Sequence, residues 1–152
     1  MLVKELMVSP VITVKSNNTL EHVAKIMIKN RIGCLPVVDN EGKMLGIITE
    51  AEFTAEKSTF PFSRVNAPKL FGKWMLKENI EDMYKSAKTM KAEEIMNTSY
   101  VYVDKDDSVF DLLNIMIDNN VFRMPVLKDG KPVGIITRHD LLKLIIDSGH
   151  QT

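Results

Sequence analysis

What most constrains this chain is that it carries one pattern twice. Residues Met7 to Asn40 align without gaps with Met96 to Asp129; Glu41 is then skipped, and Gly42 to Phe53 align with Gly130 to Leu141. The identities fall where structure would need them. Gly46-Ile47-Ile48-Thr49 recurs as Gly134-Ile135-Ile136-Thr137, Pro36-Val37 as Pro125-Val126, and Ile26-Met27-Ile28 as Ile115-Met116-Ile117. A unit of roughly 50 residues buries too little surface to stand comfortably alone, whereas two copies can cover each other's sheets.

Each copy follows the same succession of periodicities. A short strand, Val11-Ile12-Thr13-Val14 or Tyr100-Val101-Tyr102-Val103, leads through polar turn residues into an amphipathic helix. Leu20, Val23, Ala24, Met27 and Ile28 keep the spacing of one helical face, as do Val109, Leu112, Leu113, Met116 and Ile117. Ser108 with Asp111 resembles a capping box, and Thr19 or Asn18 would cap the first helix. A strand around Leu35-Pro36-Val37-Val38, a turn at Asp39-Asn40-Glu41-Gly42 and a strand through Leu45-Gly46-Ile47-Ile48-Thr49 follow; the second copy turns at Lys128-Asp129-Gly130-Lys131. Both last strands run into a helix, expected through Glu50 to about Lys57 and through Arg138 to Asp147, with Gly149 as its C′ residue. The unit reads β-α-β-β-α.

The order of strand, helix, Pro-Val strand and Gly-turn strand, closed by a glycine-apolar-apolar-Thr-x-x-acid pattern, resembles cystathionine-β-synthase-type (CBS) domains. The resemblance covers nearly all of the chain outside residues 54 to 92. It implies an α/β (α+β) architecture of two β-α-β-β-α repeats packed sheet to sheet as a pseudo-twofold pair, a stand-alone tandem CBS (Bateman) module. The expected divisions are 1 to 53 for the first repeat, 54 to 92 for an inserted connecting segment, and 93 to 152 for the second repeat.

The inserted segment is too aromatic for a disordered tether, with Phe60, Phe62, Phe71 and Trp74. Ile80, Met83, Tyr84 and Ala87 share a helical face, which predicts an amphipathic helix over roughly 77 to 91. Two readings stand: an elaboration packed on the pair, or an aromatic dimer or partner surface or a flap over a ligand cleft.

In proteins of the resembled family an adenine nucleotide binds between the repeats, and this assigns candidate residues. Thr137, Arg138 and Asp140 lie at a strand-to-helix junction. Backbone N–H groups there favour phosphate, and a carboxylate one turn in can accept ribose hydroxyls. By resemblance, the adenine end of that favoured site would come from Ser9, Val11 and Val14 with Ile32 and Gly33 of the first repeat, Gly33 permitting close approach. A mirror-related second site would join Thr49 and Glu52 to Thr98, Tyr100, Val103, Val121, Phe122 and Arg123, the last as a phosphate-binding base. Glu52, near Glu50, departs from the usual Asp and suggests a site that is weaker, empty or selective for another ligand. Each element taken alone reads first as a helix cap or a solvated charge; it is their duplication and complementarity that point to a ligand.

Catalytic chemistry has no comparable signal. No motif pairs His22, His139 or His150 with a nucleophile or metal partner, and no glycine-rich phosphate loop is present. Cys34, the single cysteine, reads as a buried inert thiol that cannot form an internal disulfide. Twenty basic residues balance twenty acidic ones, which gives no field for nucleic acid or anionic lipid. The N-terminus has no signal-peptide pattern and no apolar run reaches the roughly 18 residues of a membrane span. The expectation is therefore a cytoplasmic, non-catalytic regulatory module, without metal or catalytic cofactor. It would bind AMP, ADP or ATP, form a homodimer and signal to an unidentified protein. The alternatives are S-adenosylmethionine in the same cleft, or a ligand-free dimerisation and interaction module using the aromatic insertion.

Overall fold

In the computed structural model, which describes residues 1 to 59 and 66 to 147, the duplicated sequence makes a duplicated sheet. The first repeat comprises β1 (Val14–Lys15), α1 (Leu20–Asn30), β2 (Cys34–Val38) and β3 (Met44–Thr49). The insertion supplies β4 (Glu56–Thr59), β5 (Asn66–Leu70), β6 (Lys73–Trp74) and α2 (Ile80–Ala87), and α3 (Ala92–Ile95) leads to the second repeat. That repeat comprises β7 (Val103–Asp104), α4 (Val109–Asn119), β8 (Arg123–Lys128), β9 (Lys131–Thr137) and α5 (Leu142–Asp147). In each repeat the first strand pairs parallel to the second, Val14 opposite Val37 and Val103 opposite Val126, and the second pairs antiparallel to the third. Even the register shift is repeated, between Val37 and Val38 and between Val126 and Leu127.

Local chemistry explains the element boundaries. Thr19 Oγ1 accepts the His22 N–H at 3.2 Å and Ser108 Oγ accepts the Asp111 N–H at 3.1 Å, each satisfying an orphan donor of a helix N-terminus. Both helices end in a left-handed residue, Arg31 (φ 53°) and Asn120 (φ 50°). Leu20, Val23 and Met27 of α1 and Leu112 and Met116 of α4 are buried on the sheets. Ile28 and Ile117, expected on that face, are instead 79% and 75% exposed. At about 100° per residue, an i+8 position has turned about 80° from the stripe's first residue. The second hairpin closes through Asp129 (φ 52°) and Gly130 (φ 77°), consecutive left-handed residues of a type I′ turn. In the first, Asp39 Oδ1 accepts the N–H groups of Glu41 (2.8 Å) and Lys43 (2.9 Å), so the unmatched Glu41 is absorbed in a wider side-chain-braced turn.

The repeats exchange their leading segments. Val3 and Leu6, which precede the first repeat's sheet, are fully buried in the core of the second with Val103, Leu112, Met124, Val126 and Ile136. Reciprocally, Ala92, with Ile95 and Met96, packs into the core of the first, against Val14, Val23, Leu35, Val37 and Ile48. Val8 exchanges backbone hydrogen bonds with Ile135 (2.9 and 3.1 Å), and Asn97 with Ile47 (2.9 and 3.0 Å). The repeated glycines follow from this. A Cβ on Gly46 would lie 2.8 Å from Met96 Sδ, and one on Gly134 would lie 2.6 Å from Met7 Sδ. It also revises the leading strands: of the expected 11 to 14 and 100 to 103, only Val14 and Val103 belong to β1 and β7, because the residues before them are directed to the other repeat. Between the sheets, Cys34, Met44, Ile47 and Leu127 form an apolar cluster with Tyr100 and Ile135, and the Met44 N–H reaches Gly130 O at 2.9 Å.

The insertion departs furthest from expectation. The first repeat's closing helix, expected to about Lys57, is a single 3-10 turn over Glu50–Phe53; Thr54 is extended and the chain enters an antiparallel sheet, β4-β5-β6. The helix expected over 77 to 91 is α2 preceded by a 3-10 turn at Lys77–Asn79. It stops early because the following backbone bonds the loop before α1: Leu20 N–H to Met90 O and Ala92 N–H to Asn18 O, both 2.8 Å. Phe71 meets the rings of Phe53 (6.4 Å) and Tyr84 (5.4 Å) edge-on, and Tyr84 OH donates to Phe53 O at 2.8 Å, fixing the insertion to the first repeat. Phe60, Phe62, Gly149 and His150 lie outside the described residues. Among those described, no helix is long and apolar enough to cross a membrane.

Candidate ligand-binding site

The exchange of leading segments leaves a cleft of about 330 Å³ whose walls come from both repeats. One side is Val8, Pro10, Val11 and Ile12 with Ile32, Gly33 and Cys34; the other is Ile135, Thr137, His139 and Asp140 of the second repeat, with Arg31 and Arg123 also facing it. Its walls are mostly apolar, with a few convergent polar groups, and its volume lies near the lower end of about 300 to 1,000 Å³ for small-molecule sites.

Asp140 is the buried polar residue of this region, 4% exposed. Its Oδ2 accepts the Thr137 N–H at 2.9 Å and, more weakly, the Thr137 hydroxyl at 3.4 Å; its Oδ1 pairs with Lys143 Nζ at 3.0 Å. Lys143 is in turn tied to Leu6 O at 2.9 Å, so the exchanged N-terminal segment helps hold the carboxylate. An ionised carboxylate has about four lone-pair positions, and these contacts leave acceptor capacity on Oδ1 for a ligand hydroxyl.

Arg123 bridges the two repeats. It faces the cleft, and its Nη1 lies 3.6 Å from Glu50 Oε1 of the first repeat. The Arg123 guanidinium and the Glu50 carboxylate both occupy the space that a Cβ on Gly33 would take. Gly33 thus permits close approach through its missing side chain, and the approaching groups are these two. Cys34, beside Gly33, is buried, which pushes its thiol up to about 12 against a smaller opposing pull from Arg123; a neutral thiol is inert as a nucleophile.

The mirror-related side is built from the same frame with different contents. Thr49 N–H and Oγ1 bind Glu52 Oε2 at 2.6 and 2.8 Å, the counterpart of the Thr137–Asp140 arrangement. Glu52, half-buried, opens toward the insertion, beside Glu56, Lys69, Phe71 and Glu94. Phe122 holds the position equivalent to Gly33, and the Arg138 guanidinium lies 4.1 Å over its ring, a cation–π contact. Tyr100 packs in the inter-repeat cluster with its OH 3.4 Å from Met44 O, and burial pushes its phenol above the usual range.

The structure therefore brings Val11, Ile32, Gly33, Thr137 and Asp140 together around one cleft and adds Arg123 to them. Arg138 is turned to Phe122, while Val14 and Val103 are core residues, 3% and 1% exposed, because each is fixed by its parallel partner strand. Ser9 is exposed beside the cleft without being part of its wall, Thr98 is exposed, and Val121 packs on the second core. Sequence reasoning did not select Arg31, Val8, Pro10, Ile12 or Ile135 as lining residues; the left-handed end of α1, which turns Arg31 into the cleft, was legible only as the end of a periodic stretch.

The CBS domain family model matches residues 3–57 and 92–147. The chain belongs to the CBS domain family. An uncharacterized protein of Methanocaldococcus jannaschii is 29% identical over 157 residues, spanning 96% of this chain and 92% of its own. A CBS domain-containing protein of Dictyostelium discoideum is 34% identical over 146 residues, spanning 95% and 91%. Of solved structures, the CBS domain of a CBS domain-containing membrane protein from Sphaerobacter thermophilus is 34% identical with a TM-score of 0.71, covering 95% of this chain and 87% of that one. Another CBS domain pair, 28% identical with a TM-score of 0.67 and covering 97% and 98%, was crystallised in complex with 5′-methylthioadenosine and S-adenosyl-L-methionine. Among the described residues of this chain, no group of three or more His, Cys, Asp or Glu side chains could hold a metal ion.

Proposed function

We propose that this CBS pair is a non-catalytic regulatory module that takes an adenosine-containing small molecule in the Asp140 cleft and signals its occupancy to a partner protein. The observation that carries the reading is the buried Asp140 carboxylate, braced by Thr137 and Lys143 at the edge of a mostly apolar cleft built from both repeats. Val11 and Ile32 would flank the base, Asp140 would accept ribose hydroxyls, and Arg31, Arg123 and His139 would meet phosphate. The related domain pair bound to methylthioadenosine and S-adenosylmethionine supports the adenosyl class. Within that class the two arginines favour AMP, ADP or ATP over a sulfonium cation. Because the cleft has walls from both repeats, a ligand that binds one relative orientation better would shift the pair toward it, which is the physical basis for regulation. The module would work in the cytoplasm as an isologous homodimer.

A panel of AMP, ADP, ATP, S-adenosylmethionine and 5′-methylthioadenosine in a thermal-shift assay tests this. At least one should raise the melting temperature, by an amount that grows with concentration above Kd. If none does, the ligand-free dimerisation and interaction module becomes the better account.

A further inference from the structure

We infer that Glu50 is a charge gate on the Asp140 cleft: it holds the Arg123 guanidinium and thereby sets how strongly the cleft prefers phosphorylated ligands. The inference rests on the adenosine-ligand reading of that cleft. Arg123 belongs to the second repeat, faces the cleft, and ion-pairs across the repeat boundary with Glu50 at 3.6 Å. The pair can form over the peptide of the first repeat because Gly33 has no side chain there. Both ends are accessible, Arg123 46% and Glu50 74% exposed, so the pair is weak and breakable. A ligand phosphate entering beside Gly33 competes with the Glu50 carboxylate for one guanidinium. An uncharged ligand tail offers no such competition and leaves the pair in place.

Repeat symmetry sharpens the assignment. The residue equivalent to Glu50 is Arg138, which lies on the Phe122 ring. The equivalent of Arg123 is Cys34, a neutral buried thiol. The opposed charges therefore stand at the Asp140 cleft, where Gly33 lets them meet, and not at the mirror position. Glu50 also sits one residue from Thr49 and two from Glu52, so release of Arg123 frees a carboxylate on the mirror side and gives the first repeat a means of registering occupancy.

Calorimetric titration of AMP, ATP and 5′-methylthioadenosine into wild-type, Glu50→Gln, Arg123→Gln and doubly substituted protein tests this. Neither side chain is buried, so all four proteins should fold. Glu50→Gln should tighten AMP and ATP by about two- to fivefold at low salt, with the gain shrinking as salt rises, and should leave methylthioadenosine unchanged. The gain should vanish in the Arg123→Gln background. An equal effect on charged and uncharged ligands, no effect on either, or a gain that survives without Arg123 overturns the gate while leaving the adenosine reading intact. Absence of binding by every adenosine compound to the wild-type protein overturns both.

Discussion

The Thr137–Asp140 side and the Thr49–Glu52 side of this molecule start from the same four-residue turn and end as different environments. Both turns place a threonine N–H and hydroxyl on a carboxylate three residues on. On the Asp140 side the chain continues into α5, so Lys143 reaches back to pin the carboxylate and the exchanged N-terminal segment together. On the Glu52 side the residue equivalent to Lys143 is Ala55, and the chain has already left for β4. A second contrast lies at the equivalent residues 33 and 122: the Arg123 and Glu50 side chains take the space beside Gly33, whereas Phe122 carries a ring under the Arg138 guanidinium. Duplication therefore supplies two frames with different surroundings: the Asp140 turn opens on a cleft walled by both repeats, the Glu52 turn on a pocket of about 310 Å³ shared with the insertion.

That contrast can be broken by exchanging its determinants. Gly33→Phe, which copies the residue at 122, should push the Arg123 and Glu50 side chains aside, crowd the Asp140 cleft and weaken the adenosine ligand by tenfold or more, about 1.4 kcal/mol, in calorimetric titration; unchanged affinity would place the ligand elsewhere. Lys143→Met should leave the buried Asp140 carboxylate without its cation and lower stability by about 1–3 kcal/mol in urea denaturation. A loss below about 0.5 kcal/mol would mean that Thr137 alone suffices to hold Asp140. Smallest is Phe122→Gly, which removes the Arg138 contact at a cost of about 0.5–1 kcal/mol. Ligand stoichiometry should stay at one per chain in calorimetric titration, since Phe122 does not line the pocket at Glu52; a rise above one would mean that the ring closes that side.

Much of this frame was legible in the residues. The repeat located both helices, both hairpins and the two Thr-x-x-acid turns, because caps, turn glycines and apolar periodicity are local chemistry that each copy must satisfy for itself. What the residues did not disclose is partnership across distance. Nothing in Met7-Val8 or Met96-Asn97 says which repeat's sheet they join, although Gly46 and Gly134 carried the trace of that crossing as identities whose cause lay outside their own repeat. The family resemblance assigns Arg123 to the mirror site, but a long side chain at a pseudo-twofold boundary reaches either way, and here it faces the Asp140 cleft. The strands of the insertion stayed hidden because Asn66-Ala67-Pro68-Lys69-Leu70 lacks apolar alternation and carries a proline, which demotes a run from strand.

The central claim is that an adenosine-containing ligand is held on the Asp140 side, and calorimetric stoichiometry with conservative carboxylate substitutions tests it most directly. The account predicts one ligand per chain, loss of at least tenfold in affinity for Asp140→Asn with the fold intact by circular dichroism, and affinity within about twofold of wild type for Glu52→Gln. Wild-type affinity in Asp140→Asn, or loss of binding in Glu52→Gln alone, would contradict it.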